Sequence, residues 1–319
     1  MFRGALITLE GLKHGYFIPR EMKFEESRID FCDFFFSQTF FNAHTHIADS
    51  SFMEAPRIDL KALVAPGGYK HRMLEKASLD ELREDVMREV EFSRSCGTSF
   101  FLDFREGGMK GLKVVENIKP ILPLARPLTV EEAEKIESFG FAYSSTRDHD
   151  FELLQEVKKI AKKKKKIFAI HAGEIDCGDV EKALELEPDL IIHMNMCEEM
   201  LNEVLEMEIP VVSCIRSNAF FGITNLKVYR KLSEYDLWLL GTDNAMISST
   251  SMLDEMHFSS YLLGCEESIF KAATLGFEIF KVKSGFIVFN RKFNFKKTND
   301  PLKTLVRRAV PLDIEAVFH

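Results

Sequence analysis

At 319 residues the chain can form one large α/β domain or two smaller ones, and its 46% hydrophobic and 29% charged residues are ordinary globular proportions. A formal net charge of −8 argues against a dedicated nucleic-acid binder, which is usually basic. No uncharged run is long enough to cross a bilayer and no signal-peptide pattern opens the sequence, so a cytoplasmic protein acting away from membranes is expected.

Six cysteines (Cys32, Cys96, Cys177, Cys197, Cys214, Cys265) are scattered without a CxxC pair, which fits free thiols in a reducing compartment. Abundant Lys and Glu beside only two glutamines suggest a thermophilic source. Nothing in the pattern forbids a homo-oligomer.

The first forty residues read as short β-like runs, Gly4 to Thr8, Gly15 to Ile18 and Arg28 to Phe34, separated by turns. From Phe40 the rhythm changes. Apolar strand-like runs alternate with helical stretches. The run Phe34 to Phe41 before His44 counts as the first strand, followed by Thr98–Asp103, Ile121–Leu124, Gly140–Tyr143, Ile167–Ile170, Leu190–Ile192, Pro210–Ser213 and Leu237–Leu240. The helical stretches between them include Leu79–Cys96, Val130–Phe139, Phe151–Ala161, Val180–Leu186 and Glu198–Met207, several with an acidic first turn. Eight buried strands alternating with helices predict an α/β protein built on a (β/α)8 TIM barrel. No Gly-rich dinucleotide loop supports a doubly wound sheet instead.

The run Lys162–Lys166, between an amphipathic stretch and a strand, reads as a solvated helix end favoured by the helix dipole. Past the last strand come helical stretches at Met252–Leu263 and Glu266–Phe280, then β-like character from Ser284 to Phe295. The two ends are expected to pair as a small accessory β domain, residues 1–40 with 283–319, around a barrel of residues 41–282.

Function in such a barrel sits at the C-terminal ends of its strands. Strand one ends in His44 and His46, strand five in His171, strand six in His193 and strand eight in Asp243. Each alone has an ordinary structural role available, as core histidine or helix cap. Independent structural roles would not all select the same end of one barrel. Imidazoles with one carboxylate form a mixed N/O donor set suited to Zn²⁺ or Fe²⁺ and poorly suited to Ca²⁺ or Mg²⁺. In His171-Ala172-Gly173-Glu174, the glycine lets the chain turn the Glu174 carboxylate into the pocket, where it can move protons.

These residues resemble the amidohydrolase superfamily, in its deaminase and chlorohydrolase-like branch. Asn42-Ala43-His44-Thr45-His46-Ile47-Ala48-Asp49-Ser50 is similar to its strand-one signature, His171-Ala172-Gly173-Glu174 to its strand-five His-x-x-Glu, and Gly241-Thr242-Asp243-Asn244 to its strand-eight Gly-Thr-Asp. Gly4 to Thr8 is similar to the first strand of its accessory β-sandwich. The resemblance implies that His44, His46, His171 and Asp243 bind metal, Glu174 shuttles protons and His193 polarises the substituent of the scissile carbon. Two-metal members carry a Lys or Glu at the end of strand four, and Phe141 to Thr146 offers neither, so one metal is expected, zinc before iron. The chain departs from the family at Gly285, which leads directly into Phe286–Phe289, so a trimmed sandwich is expected.

The expected activity is hydrolytic deamination, or related C–N hydrolysis, of a small cyclic or heteroaromatic compound resembling a nucleobase, nucleoside or pterin. An amide, lactam or halide hydrolase on the same site is the near alternative, and a non-catalytic metal-dependent binding protein the distant one. His71, Arg105 and Arg216 are the candidate substrate contacts, the arginines for a carboxylate, phosphate or carbonyl. His257, on the helix after strand eight, reads as structural.

Overall fold

The computed structural model describes all 319 residues. Near the start, strands β1 (Phe2–Thr8) and β2 (Gly11–Ile18) form an antiparallel hairpin in which Thr8 faces Gly11, and Gly11 adopts a φ of 118° that a side chain would strain. β3 (Lys23–Glu26) pairs with β2. The expected strand over Arg28–Phe34 does not form; the chain runs as a loop to β4 (Phe34–Gln38).

The apolar run before His44 divides. β4 lies parallel to β1, whereas β5 (Phe40–His46) begins the second sheet. Thr39 is the crossing point: its amide donates to the Gly285 carbonyl at 3.1 Å and its hydroxyl accepts from the Gly285 amide at 2.8 Å. This holds the entry into the second sheet against the chain's return.

That second sheet is wholly parallel: β6 (Thr98–Arg105), β7 (Ile121–Ala125), β8 (Gly140–Tyr143), β9 (Ile167–Ala172), β10 (Leu190–His193), β11 (Val211–Ser213) and β12 (Trp238–Leu240) follow β5 in spatial order. After Gly241 and Thr242 the same stretch continues as β13 (Asp243–Asn244), which pairs with β5 on its open side. The Gly241 amide donates to the Ser213 carbonyl and the Thr242 amide to the His44 carbonyl, each at 3.1 Å. One interrupted strand therefore joins the two margins of a curled, mixed α/β fold.

Inward-facing Phe41, Ala43, Leu102, Phe104, Leu124, Ala142, Ala169, Leu190, Ile192, Val212 and Leu239 fill the interior of this sheet. Along β9 residues two apart share a face, so Ala169 packs inside and His171 faces the same way at the strand end. A larger core lies between the sheet and its surrounding helices.

Several helices begin where expected. Leu79–Ser95 opens with a capping box between Ser78 and Glu81, and Phe151–Lys164 ends on Lys165 in the left-handed region at φ 55°. The lysine run is thus a helix C-terminus, as expected. The predicted helix Glu266–Phe280 breaks into Glu266–Ala272 and Gly276–Ile279.

The end of the chain returns to the first sheet. β14 (Phe286–Asn290) pairs with β4, and after a helix over Pro301–Arg308 the chain adds β15 (Ile314–Phe318) beside β14. Both chain ends thus share a six-stranded sheet, whose face is lined by Phe17, Phe36 and Val288 with Phe2, Phe24, Phe286 and Phe318 packed around them. The expectation of six free thiols also fails, because Cys177 and Cys197 form a disulfide; the other four are free. No helix is long and apolar enough to cross a membrane.

Candidate metal centre

Four imidazoles and a carboxylate converge where the parallel strands end. His44 Nε2 lies 3.3 Å from His171 Nε2 and 3.2 Å from Asp243 Oδ1, and His46 Nε2 lies 3.7 Å from the same oxygen. His193 joins His44 and His171 in a second overlapping group. All five residues are buried.

The strand-eight turn sets this geometry. A Cβ on Gly241 would stand 2.7 Å from both the amide nitrogen and the Cβ of His44, so only glycine lets this strand pass so close to strand one. Buried Asn42 ties the two strands together: its Nδ2 donates to Thr242 Oγ1 at 2.7 Å, and its Oδ1 accepts from the Thr242 amide at 3.1 Å. Asp243 takes a left-handed φ of 60°, and its Oδ2 accepts a 2.5 Å hydrogen bond from Ser217 Oγ, leaving Oδ1 toward the histidines. His193 is likewise left-handed, at φ 81°. Such backbone strain is characteristic of functional sites.

Protonation follows from burial. His171 Nδ1 lies 2.9 Å from the Tyr143 carbonyl, which can only accept, so Nδ1 carries the proton and Nε2 presents a lone pair. Burial, reinforced by the neighbouring imidazoles, holds His171 well below the usual histidine range. Burial also lowers His44, and takes His46 down to about 3 with help from the Lys70 ammonium. At Asp243 burial favours the neutral acid, but the hydrogen bond to His44 and the surrounding imidazoles outweigh it and hold the carboxyl well below its usual range. Neutral imidazoles and an ionised carboxylate are the forms that bind a metal.

This donor set fits a divalent cation. Three ring nitrogens and a carboxylate oxygen facing one another at 3.2 to 3.7 Å form a ligand set that one cation can share. Tetrahedral zinc with bonds of about 2.0–2.1 Å would set its ligands roughly 3.3 Å apart. At the end of β8, Tyr143-Ser144-Ser145 provides no Lys or Glu to bridge a second ion.

No family model matches the chain. A protein of Archaeoglobus fulgidus named "Putative aminohydrolase" is 59% identical over 318 residues, covering 100% of this chain and 96% of that one. The zinc-bound adenosine deaminase of Xanthomonas campestris superposes with a TM-score of 0.75 at 14% identity, over 98% of this chain and 90% of that one. The guanine deaminase of C. acetobutylicum with bound guanine also gives 0.75 at 14% identity, over 99% and 97%. The chain belongs to the amidohydrolase superfamily.

In this amidohydrolase, Glu174 follows β9 through Gly173, whose φ of 65° and close approach to Met194 leave no room for a side chain. Glu174 Oε1 lies 3.4 Å from His193 Nε2, and burial pushes its carboxyl pKa above the usual carboxylate range. The Cys177–Cys197 bridge ties the loop after β9 to the loop after β10.

Glu174, His46, His171, His193 and Asp243 line a cavity of about 380 Å³. The three residues chosen from sequence as substrate contacts do not line it. Arg105 is buried and paired with Glu106 at 2.7 Å and Asp103 at 3.7 Å. Arg216 lies beneath Asp243's neighbourhood, with its Nε on Glu255 at 2.7 Å and its Nη2 on the Ser249 carbonyl at 2.7 Å. His71 sits half-buried on the helix Tyr69–Lys76. His257, half-buried on the helix Met252–Leu263, is outside the cavity too.

Their neighbours take those places. Lys70, Glu106 and Arg126 line the cavity beside His46. Glu106 Oε1 stands 2.8 Å from His46 Nδ1, at an angle short of a proper hydrogen bond, and 2.6 Å from Lys70 Nζ. Lys70 also reaches Asp49 at 3.0 Å. Burial opposes the Glu106 charge, but Lys70, His46 and Arg105 outweigh it and keep the carboxyl well below its usual range. Strand alternation was the available signal: Leu102 and Phe104 face inward, so Arg105 faces out and Glu106 faces in.

Proposed function

We propose that this chain is a mononuclear metal-dependent hydrolase of C–N bonds, most simply a deaminase of a small cyclic or heteroaromatic compound of nucleobase, nucleoside or pterin type. His44, His46, His171 and Asp243 would hold one zinc ion, with iron second. The metal would supply a Lewis acid and a water acidic enough to act near neutral pH.

Glu174 carries this reading. It is a half-buried carboxylate beside the donor cluster, its side chain 20% exposed, held toward its neutral form by desolvation and so suited to accept and return a proton. Its target would be the leaving group or a ring nitrogen. His193, 3.4 Å away, would orient Glu174 and polarise the carbon under attack. A passive binding site has no use for such a group. The names of the relative and of the two solved deaminases support the same reaction class.

We also read the curled sheet as a closed (β/α)8 barrel over residues 41–282 and the six-stranded sheet as a small separate domain from 1–40 and 283–319. The protein would work in the cytoplasm on a small molecule, alone or as a homo-oligomer, without nucleic acid. The Cys177–Cys197 bridge is compatible with that compartment in intracellular proteins of hyperthermophiles.

The test is metal content followed by ammonia release across purines, pyrimidines and pterins. Glu174→Gln should retain metal and lose about 10²- to 10⁴-fold in turnover. Stoichiometric metal with a carboxylate or halide product, and no ammonia, would replace deamination by the alternative hydrolysis.

A further inference from the structure

We propose that Arg126 anchors an oxyanion, a carboxylate or phosphate, carried by the substrate. This rests on the C–N hydrolase reading and narrows its substrate to an anionic one.

Arg126 is the first residue after β7, where its amide donates to the Arg105 carbonyl at 2.9 Å. Its side chain is buried, 7% exposed, and faces the same cavity as His46, Glu174 and Asp243. The guanidinium donates no hydrogen bond to any protein group. Its Nε is buried without a partner, and its nearest carboxylate is Glu106 Oε1 at 3.8 Å from Nη2. That oxygen is already engaged by Lys70 at 2.6 Å.

The other cations nearby are committed. Lys70 is held between Glu106 and Asp49, Arg105 between Glu106 and Asp103, and Arg147 on Asp176. Lys61 also lines the cavity, but it is solvent-exposed and needs no partner. Arg126 alone is both buried and without a hydrogen-bond acceptor.

Buried charged donors left unused are costly, so such a group persists where a ligand completes it. A planar fork of N–H donors matches the paired oxygens of a carboxylate or phosphate. The cavity walls point the same way. No Phe, Tyr or Trp lines the cavity, and its three imidazoles, His46, His171 and His193, belong to the donor cluster. Orientation of the substrate then falls to polar contacts, with Arg126 on one side of Glu106 and the donor cluster on the other.

The experiment uses the metal-loaded enzyme and two probes, inorganic phosphate and propionate, titrated calorimetrically into wild type, Arg126→Gln and Arg126→Lys. One of the two oxyanions should bind wild type at a single site, lose about 10- to 100-fold in affinity in the Gln variant, and recover part of it in the Lys variant. Which probe binds separates phosphate from carboxylate. Ammonia release is then compared between a nucleoside and its monophosphate, and between a pterin and its carboxylate. The anionic member should be preferred through KM rather than kcat, and the preference should vanish in Arg126→Gln. Binding unchanged in Arg126→Gln, or no binding of either oxyanion to wild type, overturns the proposal. Oxyanion binding that depends on Arg126 without ammonia from any compound would leave the anchor standing and remove the deaminase reading. Turnover of neutral and anionic members alike would do the reverse.

Discussion

Replacing Glu106 by Gln tests whether the buried charge chain behind His46 holds the centre together. The carboxylate touches Lys70 at 2.6 Å, Arg105 at 2.7 Å and His46 Nδ1 at 2.8 Å, with its side chain 6% exposed. Glutamine keeps the shape and removes the charge, so Lys70 retains only Asp49 at 3.0 Å and Arg105 only Asp103 at 3.7 Å. Breaking one side of a buried ion pair costs about 3–5 kcal/mol, because the surviving charge stays desolvated. In a chain of this size each kcal/mol lowers Tm by roughly 1.5 °C, so a fall of about 4–8 °C is expected in thermal unfolding. His46 would also lose the carboxylate charge 2.8 Å from its Nδ1, weakening metal binding by about 10- to 100-fold in chelator competition. Adding Lys70→Met should restore part of the stability, since the double variant leaves fewer unmatched charges. A Tm within about 1 °C of wild type, corresponding to less than 1 kcal/mol, together with unchanged metal affinity, would refute the reasoning.

Three further outcomes are expected. Gly241→Ala should cost about 1–3 kcal/mol and reduce bound metal, because its Cβ would meet the His44 backbone at 2.7 Å; full metal occupancy by atomic emission would show that strand one can yield. Cys177→Ser should lower stability by about 3 kcal/mol, from the 20-residue separation the bridge closes, and wild type should lose the same amount on adding reductant; equal Tm with and without reductant would mean the thiols are unbonded. Burial holds His149 down to about 4, so between the ordinary histidine value near 6.5 and 4 the unfolded chain binds a proton that the folded chain does not. Stability should therefore fall as pH drops through that window, and His149→Gln should flatten part of the slope in denaturant titrations.

The ligand cluster was legible because each of its pieces is local. His44-Thr45-His46, His171-Ala172-Gly173-Glu174 and Gly241-Thr242-Asp243 each join a strand end to the residues that turn from it, so the spacing alone places their side chains at one mouth. The terminal sheet was half legible. Its early strands announce themselves, but β15 pairs with a segment more than twenty residues earlier across a short helix, and neither its length nor its composition sets it apart from a loop.

The cavity wall was not read correctly, and at two of the three positions the error was of phase. His71 was chosen and Lys70 faces the cavity; Arg105 was chosen and Glu106 faces it. A one-residue slip reverses the facing of a strand residue and turns a helical one by about 100°. For Arg105 the alternation with Phe104 could have corrected the choice. For Lys70 it could not, since the segment between His46 and Leu79 holds two short α-helices whose rotation depends on tertiary packing. A buried lysine also runs against the usual expectation that lysine is solvated. Nothing in the local sequence of Arg126 sets it apart from Arg105 or Arg216. Only the three-dimensional partners separate them: Glu106 and Asp103 for one, Glu255 for another, and an open cavity for the third. An arginine's sequence position says that a charge is present; whether a carboxylate already answers it decides which one can hold a substrate.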